Sequence, residues 1–252
     1  MQISKKQWIL VGAGLLAFIF SCIWFIWLPL HPGPLPSRQT MLDAIHDNFI
    51  GIEASQIADV IPLDDRHVYV PYISKGGSYG QSFWKWDRYQ WKIGAIQEKG
   101  TPYIWKLDGN LSSQFIVYHL DPRDEVGMMK VHLIRDRYYQ SSEYSQRYTP
   151  RAQMAISIPI EERLYGAIPL PSDWIRMMEE EVRISGSGQS SDLFGWMSAS
   201  SQTRIGWNSY DRQGKETFTE HSVNGSGYGN GELVLQFMSI INESELEDAR
   251  NP

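Results

Sequence analysis

The sequence predicts an α+β protein, with one N-terminal transmembrane helix followed by a single, mainly antiparallel β-sheet domain on which an amphipathic helix packs. Three observations predict it. Residues 8–28 carry no charge; Met41, Leu42, Ile45, Phe49 and Ile52 recur at helical spacing; and from residue 65 onward short runs rich in Val, Ile, Tyr and Trp alternate with polar positions between Gly, Asp, Asn and Ser clusters.

The first element is the uncharged run WILVGAGLLAFIFSCIWFIWL, 21 residues long. As a helix it reaches about 30 Å, one hydrocarbon core. Lys5 and Lys6 precede it and only Arg38 follows closely, so the positive-inside rule predicts a single-pass signal-anchor with residues 1–7 in the cytoplasm and the main domain outside. Trp8 at one end and Trp24 and Trp27 at the other stand where indole rings prefer the membrane interfaces. A cleaved signal peptide needs a short apolar core ending in a small-residue site, whereas this run continues past Ser21 and Cys22. Ile19, Phe20, Ser21 and Cys22 resemble a lipobox only loosely, because Phe20 fits poorly and an apolar stretch follows the cysteine.

Residues 29–39 form a proline-rich spacer, with Pro29, Pro32, Pro34 and Pro36 in eight residues. Extended at about 3.1 Å per residue, it holds the domain roughly 25 Å from the bilayer. The extracytoplasmic β-rich domain spans 40–242, and 243–252 form a solvated acidic tail. Thr40 is placed to cap the first helix, which extends to about residue 60, where Pro62 forbids more. Strands are predicted over 67–73, 82–86, 91–97, 103–107, 115–120, 129–135, 153–158, 193–199, 203–209, 216–221 and 232–241, and a short helix over 172–182. The glycine-rich stretches 186–191 and 225–231 read as loops.

Two hairpins are specific enough to give a register. In FWKWDRYQWKI, a loop over 87–90 pairs Trp86 with Trp91 and Trp84 with Ile93, leaving Phe83, Lys85 and Lys92 on a polar, wet face. In YIWKLDGNLSSQFIVYHL, the turn residues Asp108, Gly109 and Asn110 pair Leu107 with Phe115, Trp105 with Val117 and Tyr103 with His119. The tryptophans read as core rather than as a sugar-stacking platform.

The composition bounds the function. The net charge of −6, with 23 basic and 29 acidic residues, excludes nucleic acid as a partner of the whole chain. One cysteine excludes an intramolecular disulfide and a cysteine zinc cluster, and a cysteine-free outer domain points to a bacterial cell envelope. No nucleophile elbow or dinucleotide fingerprint occurs, so no cofactor and no catalytic residue is expected.

Two constellations remain. Residues 135–151, RDRYYQSSEYSQRYTPR, form the one basic and aromatic stretch of an acidic domain. Guanidinium groups grip carboxylates bidentately, and tyrosine joins an apolar face to a hydroxyl. Arg135, Arg137, Tyr138, Tyr139, Tyr144, Arg147, Tyr148 and Arg151 are therefore the candidate ligand or partner surface. The second set is His119, Asp121 and His132, which gather as metal ligands if the strands at 115–120 and 129–135 pair as a hairpin. The resulting expectation is a membrane-anchored extracytoplasmic binding, accessory or sensing module. Its partners are the membrane, through 8–28, and an envelope protein or glycan; the alternative is an envelope hydrolase using the histidine and aspartate set.

Overall fold

The computed structural model of the chain describes residues 12, 14–22, 24, 31–141, 146–161, 163–184 and 203–247. Within that range the protein is an α+β domain of mainly antiparallel sheet. Of the predicted span 8–28, residues 12, 14–22 and 24 are described and helical, and the rest lies outside the described residues. Among the described residues no helix is long and apolar enough to cross a membrane.

The first helix, α1 (Arg38–Asn48), begins three residues earlier than predicted. Ser37 is its cap, accepting from the Thr40 main-chain N–H at 3.2 Å. It also ends early. The Asn48 side chain donates to the Ala44 carbonyl at 2.8 Å, Gly51 takes a left-handed φ of 104°, and the chain turns into strand rather than continuing to residue 60.

Three sheets stack in layers, the first of them packed on this helix. Sheet A contains β1 (Ala54–Ile57), β2 (Ile61–Pro62), β3 (His67–Ser74), β4 (Tyr79–Asp87), β5 (Gln90–Gln97) and β15 (Gly227–Gly229), with β2 beside β3 and the rest in the order β1-β3-β4-β5-β15. Sheet B has the order β12-β7-β6-β16, built from β6 (Gly100–Lys106), β7 (Gln114–His119), β12 (Tyr165–Pro169) and β16 (Val234–Phe237). Sheet C runs β11-β8-β13-β14, from β8 (Val126–Arg135), β11 (Ala152–Pro159), β13 (Thr203–Asp211) and β14 (Glu216–Thr217), with β17 (Ser239–Ile240) lying parallel to β13.

Three apolar clusters hold the layers together. Met41 and Ile45 of α1 meet Val68, Val70, Trp84 and Ile96 on one face of sheet A. The opposite face sends Tyr69, Phe83 and Ala95 against Trp105, Leu107 and Val117 of sheet B. Ile104, Ile116 and Tyr118 on the far side of sheet B join Met129, Val131, Leu133 and Trp207 of sheet C, together with Trp174 and Met178 of the helix α2 (Ser172–Ile184).

This layering corrects the predicted wet face of the first hairpin. Its pairs are as predicted, Trp84 with Ile93, Lys85 with Lys92 and Trp86 with Trp91. A bulge after Phe83, however, pairs that residue with Ala95 and delivers it fully buried into the second cluster. Sheet A is covered on both sides. The second hairpin is shifted by two residues, with Trp105 opposite Phe115 and Tyr103 opposite Val117. Its loop closes where Leu107 donates to Ser113 at 2.9 Å, with Asp108 and Gly109 both left-handed. An even shift keeps each side chain on its predicted face.

The Trp86–Trp91 pair also grips the spacer. The rings meet edge to face at 5.7 Å, the Trp91 indole N–H donates to the Gly33 carbonyl at 3.0 Å, and Gly33 lies against the Trp86 ring. The spacer is therefore docked on the domain at Gly33, midway along it.

Late in the chain, the predicted strand over 232–241 divides at the fully buried Met238 into β16 and β17, in different sheets. The predicted loop at 225–231 includes β15, and only Glu216–Thr217 of the predicted strand 216–221 is formed. The stretch 186–191 and the predicted strand 193–199 lie outside the described residues.

Candidate functional site

Of residues 135–151, the described ones at 138–141 and 146–149 are strand. β8 and β11 pair from Met128 with Pro159 to Arg135 with Ala152, and the strands then continue as a two-stranded ribbon of β9 (Tyr138–Ser141) and β10 (Gln146–Thr149). Tyr139 lies directly opposite Tyr148, and Tyr138 opposite Thr149. Directly opposed tyrosines share one face of a ribbon. Tyr139 and Tyr148 are 60% and 62% exposed, and among the described strands the ribbon pairs only with itself. Tyr144 lies outside the described residues, and Arg147 enters through its pairing with Gln140.

The base of the ribbon is where the charges gather. Arg135 donates through Nε to the Pro150 carbonyl at 3.2 Å, tying the two strands where they leave the sheet. Arg151 and Arg137 reach instead to the C-terminal segment. Arg151 Nη2 donates to the Glu245 carbonyl at 2.9 Å, its Nε is 3.3 Å from Glu247 Oε1, and Arg137 Nη2 is 3.8 Å from the same oxygen. Arg204 of β13 stands 3.4 Å from Glu245 Oε2. Asp136 lies between the arginines, 3.8 Å from Arg151 and 3.6 Å from Arg204.

The acidic tail, predicted as solvated, is exposed at Glu243, Ser244, Glu245 and Glu247, and it also lies against sheet C as far as Glu247. Ile241 is fully buried at the position where Gly206 has no side chain, and a Cβ on Gly206 would stand 2.4 Å from its Cδ1. Asn242 and Glu245 close a capping box over a short 3-10 turn. The Asn242 main-chain N–H first, and Arg204 after it, hold the Glu245 carboxyl below its ordinary value against the opposing effect of burial. Arg204, Gln153 and the two glutamates were not distinguishable in the sequence, because their meeting depends on how β11, β13 and the tail cross.

The second predicted constellation does not assemble. β7 and β8 do not pair as a hairpin. Asp121 caps a 3-10 turn over Pro122–Asp124, and the chain then enters a different sheet, which leaves His119 in sheet B and His132 in sheet C. His119 Nδ1 is bound to the Gly80 carbonyl at 2.7 Å and its ring stands edge-on to Tyr79 and Tyr165. Asp121 accepts from Arg123 Nε at 2.9 Å and Nη2 at 2.5 Å; burial raises its carboxyl, and Arg123 more than reverses this. His132 Nε2 is 2.9 Å from Asn208 Oδ1, and burial lowers its imidazole against that hydrogen bond. Among the described residues no group of three or more His, Cys, Asp or Glu could hold a metal ion.

Asn208 leads instead to a cleft of about 230 Å³ beside the tail, lined by Trp207, Ser209, Glu216, Phe218 and Asn242 among others. Asn208 Nδ2 donates there to the Tyr210 hydroxyl and to Glu216, and Glu216 accepts from the Glu243 N–H at 3.0 Å, whereas the buried Thr219 hydroxyl in the lining has no hydrogen-bond partner. No family model matches the chain, and no curated protein and no solved structure matches it either.

Proposed function

We propose that the chain is a single-pass, membrane-anchored binding or accessory module of a bacterial cell envelope, with residues 1–7 in the cytoplasm and the domain outside, contacting an envelope protein through the β9–β10 ribbon. The observation that carries the contact surface is the opposed pair Tyr139 and Tyr148, both more than half exposed on a ribbon that, among the described strands, pairs with none of the three sheets. Tyrosine is enriched where proteins bind, because its ring buries area at little entropy cost while the hydroxyl keeps a partner. The membrane attachment is supported by the uncharged run 8–28 and by Leu15, Leu16, Phe18 and Phe20, each above 60% exposed on helical backbone. Such a surface needs an apolar environment.

Two measurements test the reading. A photo-crosslinking amino acid at Tyr139 in living cells should trap one envelope protein, and the same probe at exposed Tyr89 of the β4–β5 turn should not; equal trapping at both positions removes the ribbon from the reading. Protease added to intact cells should digest the domain. Complete protection would place it on the other side of the membrane.

A further inference from the structure

We propose that the base of the ribbon recognises a short acidic peptide in a tight turn, and that the chain's own residues 243–247, which begin in a 3-10 turn, occupy this site in cis until an acidic segment of the partner displaces them. The contacts fall into the two classes that peptide recognition uses. The main chain is held without regard to sequence: Gln153 Oε1 accepts from the Glu247 N–H at 3.1 Å, its Nε2 donates to the Glu247 carbonyl at 3.4 Å, and Arg151 donates to the Glu245 carbonyl at 2.9 Å. The side chains are held by charge. Glu247 meets Arg151 and Arg137, and Glu245, two residues earlier, meets Arg204.

The charge count fits a ligand with two carboxylates. Arg151 and Arg204 share the single carboxylate of Asp136 while Arg137 pairs with Glu247, and the two glutamates complete the balance of the three arginines. The hold on the segment is polar and exchangeable. Glu243, Ser244, Glu245 and Glu247 are exposed and only Leu246 is partly buried, so no apolar side chain of 243–247 is locked into the core. Exposed ion pairs of this kind contribute little each, and a partner presenting the same pattern on a larger interface outcompetes them.

The inference deepens the proposed function, since it rests on the ribbon region being the partner surface. The probe is a fluorescent synthetic peptide with the sequence of residues 242–248, NESELED, measured by anisotropy against the full chain in detergent. The native chain should bind it weakly. The E245A/E247A variant, with the cis carboxylates gone, should bind about tenfold more tightly, because the competent fraction of sites rises. Adding R151A to that variant should remove the gain, and a peptide with lysine at the three glutamate positions should not bind. Equal affinity of the native chain and E245A/E247A, or a gain that survives R151A, overturns the proposal. So does an E245A/E247A variant that fails to fold, because the segment would then belong to the fold rather than act as a ligand. A concentration-dependent dimer of the native chain in light scattering also overturns it, by assigning the tail to a second copy. Loss of peptide binding while crosslinking at Tyr139 persists refutes the peptide site and leaves the ribbon intact.

Discussion

His119 Nδ1 lies 2.7 Å from the carbonyl oxygen of Gly80, so a side chain of sheet B donates to the backbone of sheet A across the layer between them. The histidine is 1% exposed, and burial pushes its imidazole from 6.5 down to about 4. The folded protein therefore holds this ring neutral where the unfolded chain protonates it. Between about pH 6.5 and pH 4 the unfolded state binds the extra proton, so stability is fully present above 6.5 and falls as the pH drops through that window. The loss is on the order of 3 kcal/mol for a shift of this size. Denaturant titrations from pH 7.5 to pH 4 should show it, and His119→Gln should flatten the slope. An unchanged slope in that variant would assign the acid sensitivity to other groups.

Lys106 creates a second window of the same sign at alkaline pH. Its side chain is 3% exposed, and burial pushes its ammonium down to about 8. From about pH 8 to pH 10.5 the unfolded chain keeps a proton that the folded chain has released, so this residue makes stability climb with pH. Tyr69 and Tyr72, whose phenols burial raises, oppose the climb above pH 10. The clean comparison is native protein against Lys106→Met at pH 7.5 and pH 9.5. The variant should lose most of the native increment between the two pH values.

Gly206 and Ile241 set up a packing test. A methyl group on Gly206 meets Ile241 Cδ1 at 2.4 Å, Cγ1 at 2.6 Å and the Ser239 carbonyl at 2.7 Å. Gly206→Ala should cost about 1–3 kcal/mol through overpacking. Adding Ile241→Val deletes the nearest of these atoms and should recover part of the loss; a second substitution that only adds to the first would show that Ile241 is not what the methyl strikes.

The ribbon tyrosines should be thermodynamically silent. Tyr139→Ala with Tyr148→Ala should move stability by no more than about 0.5 kcal/mol, the usual range for exposed positions. Trp105→Ala, which empties a fully buried site between Phe83 and His67, should cost about 3–5 kcal/mol. A large loss in the tyrosine pair would make the ribbon a structural element and not a free surface.

How far the sequence could be read depended on the distance over which a feature is determined. The pairing of Trp84, Lys85 and Trp86 with their partners was legible because a tight loop and alternating bulky residues specify it within eleven positions. The burial of Phe83 was not, since it depends on Trp105 of another sheet. The two-residue shift at Trp105 and Phe115 arose from left-handed Asp108, a conformation that only a minority of aspartates adopt. Sequence adjacency suggested that His119 and His132 would face each other, but the turn capped by Asp121 redirects the chain into the next layer. The arginine and tyrosine stretch stood out by composition alone. Its complement, the Glu245 and Glu247 pair, is about a hundred residues away and has no local signature.

The last strands of the domain have a further consequence for how the protein is made. β15, β16 and β17 each add an edge to a different sheet, and all three come from residues 227–240. A chain emerging from its N terminus therefore carries three unfinished sheets until residues 227–240 have been synthesised. Such open edges are templates for pairing with other chains, and contacts of this sequence separation form slowly. Truncation just before residue 227 should thus yield aggregation rather than a smaller stable domain, and these sheets gain their last strands only once residues 227–240 are available.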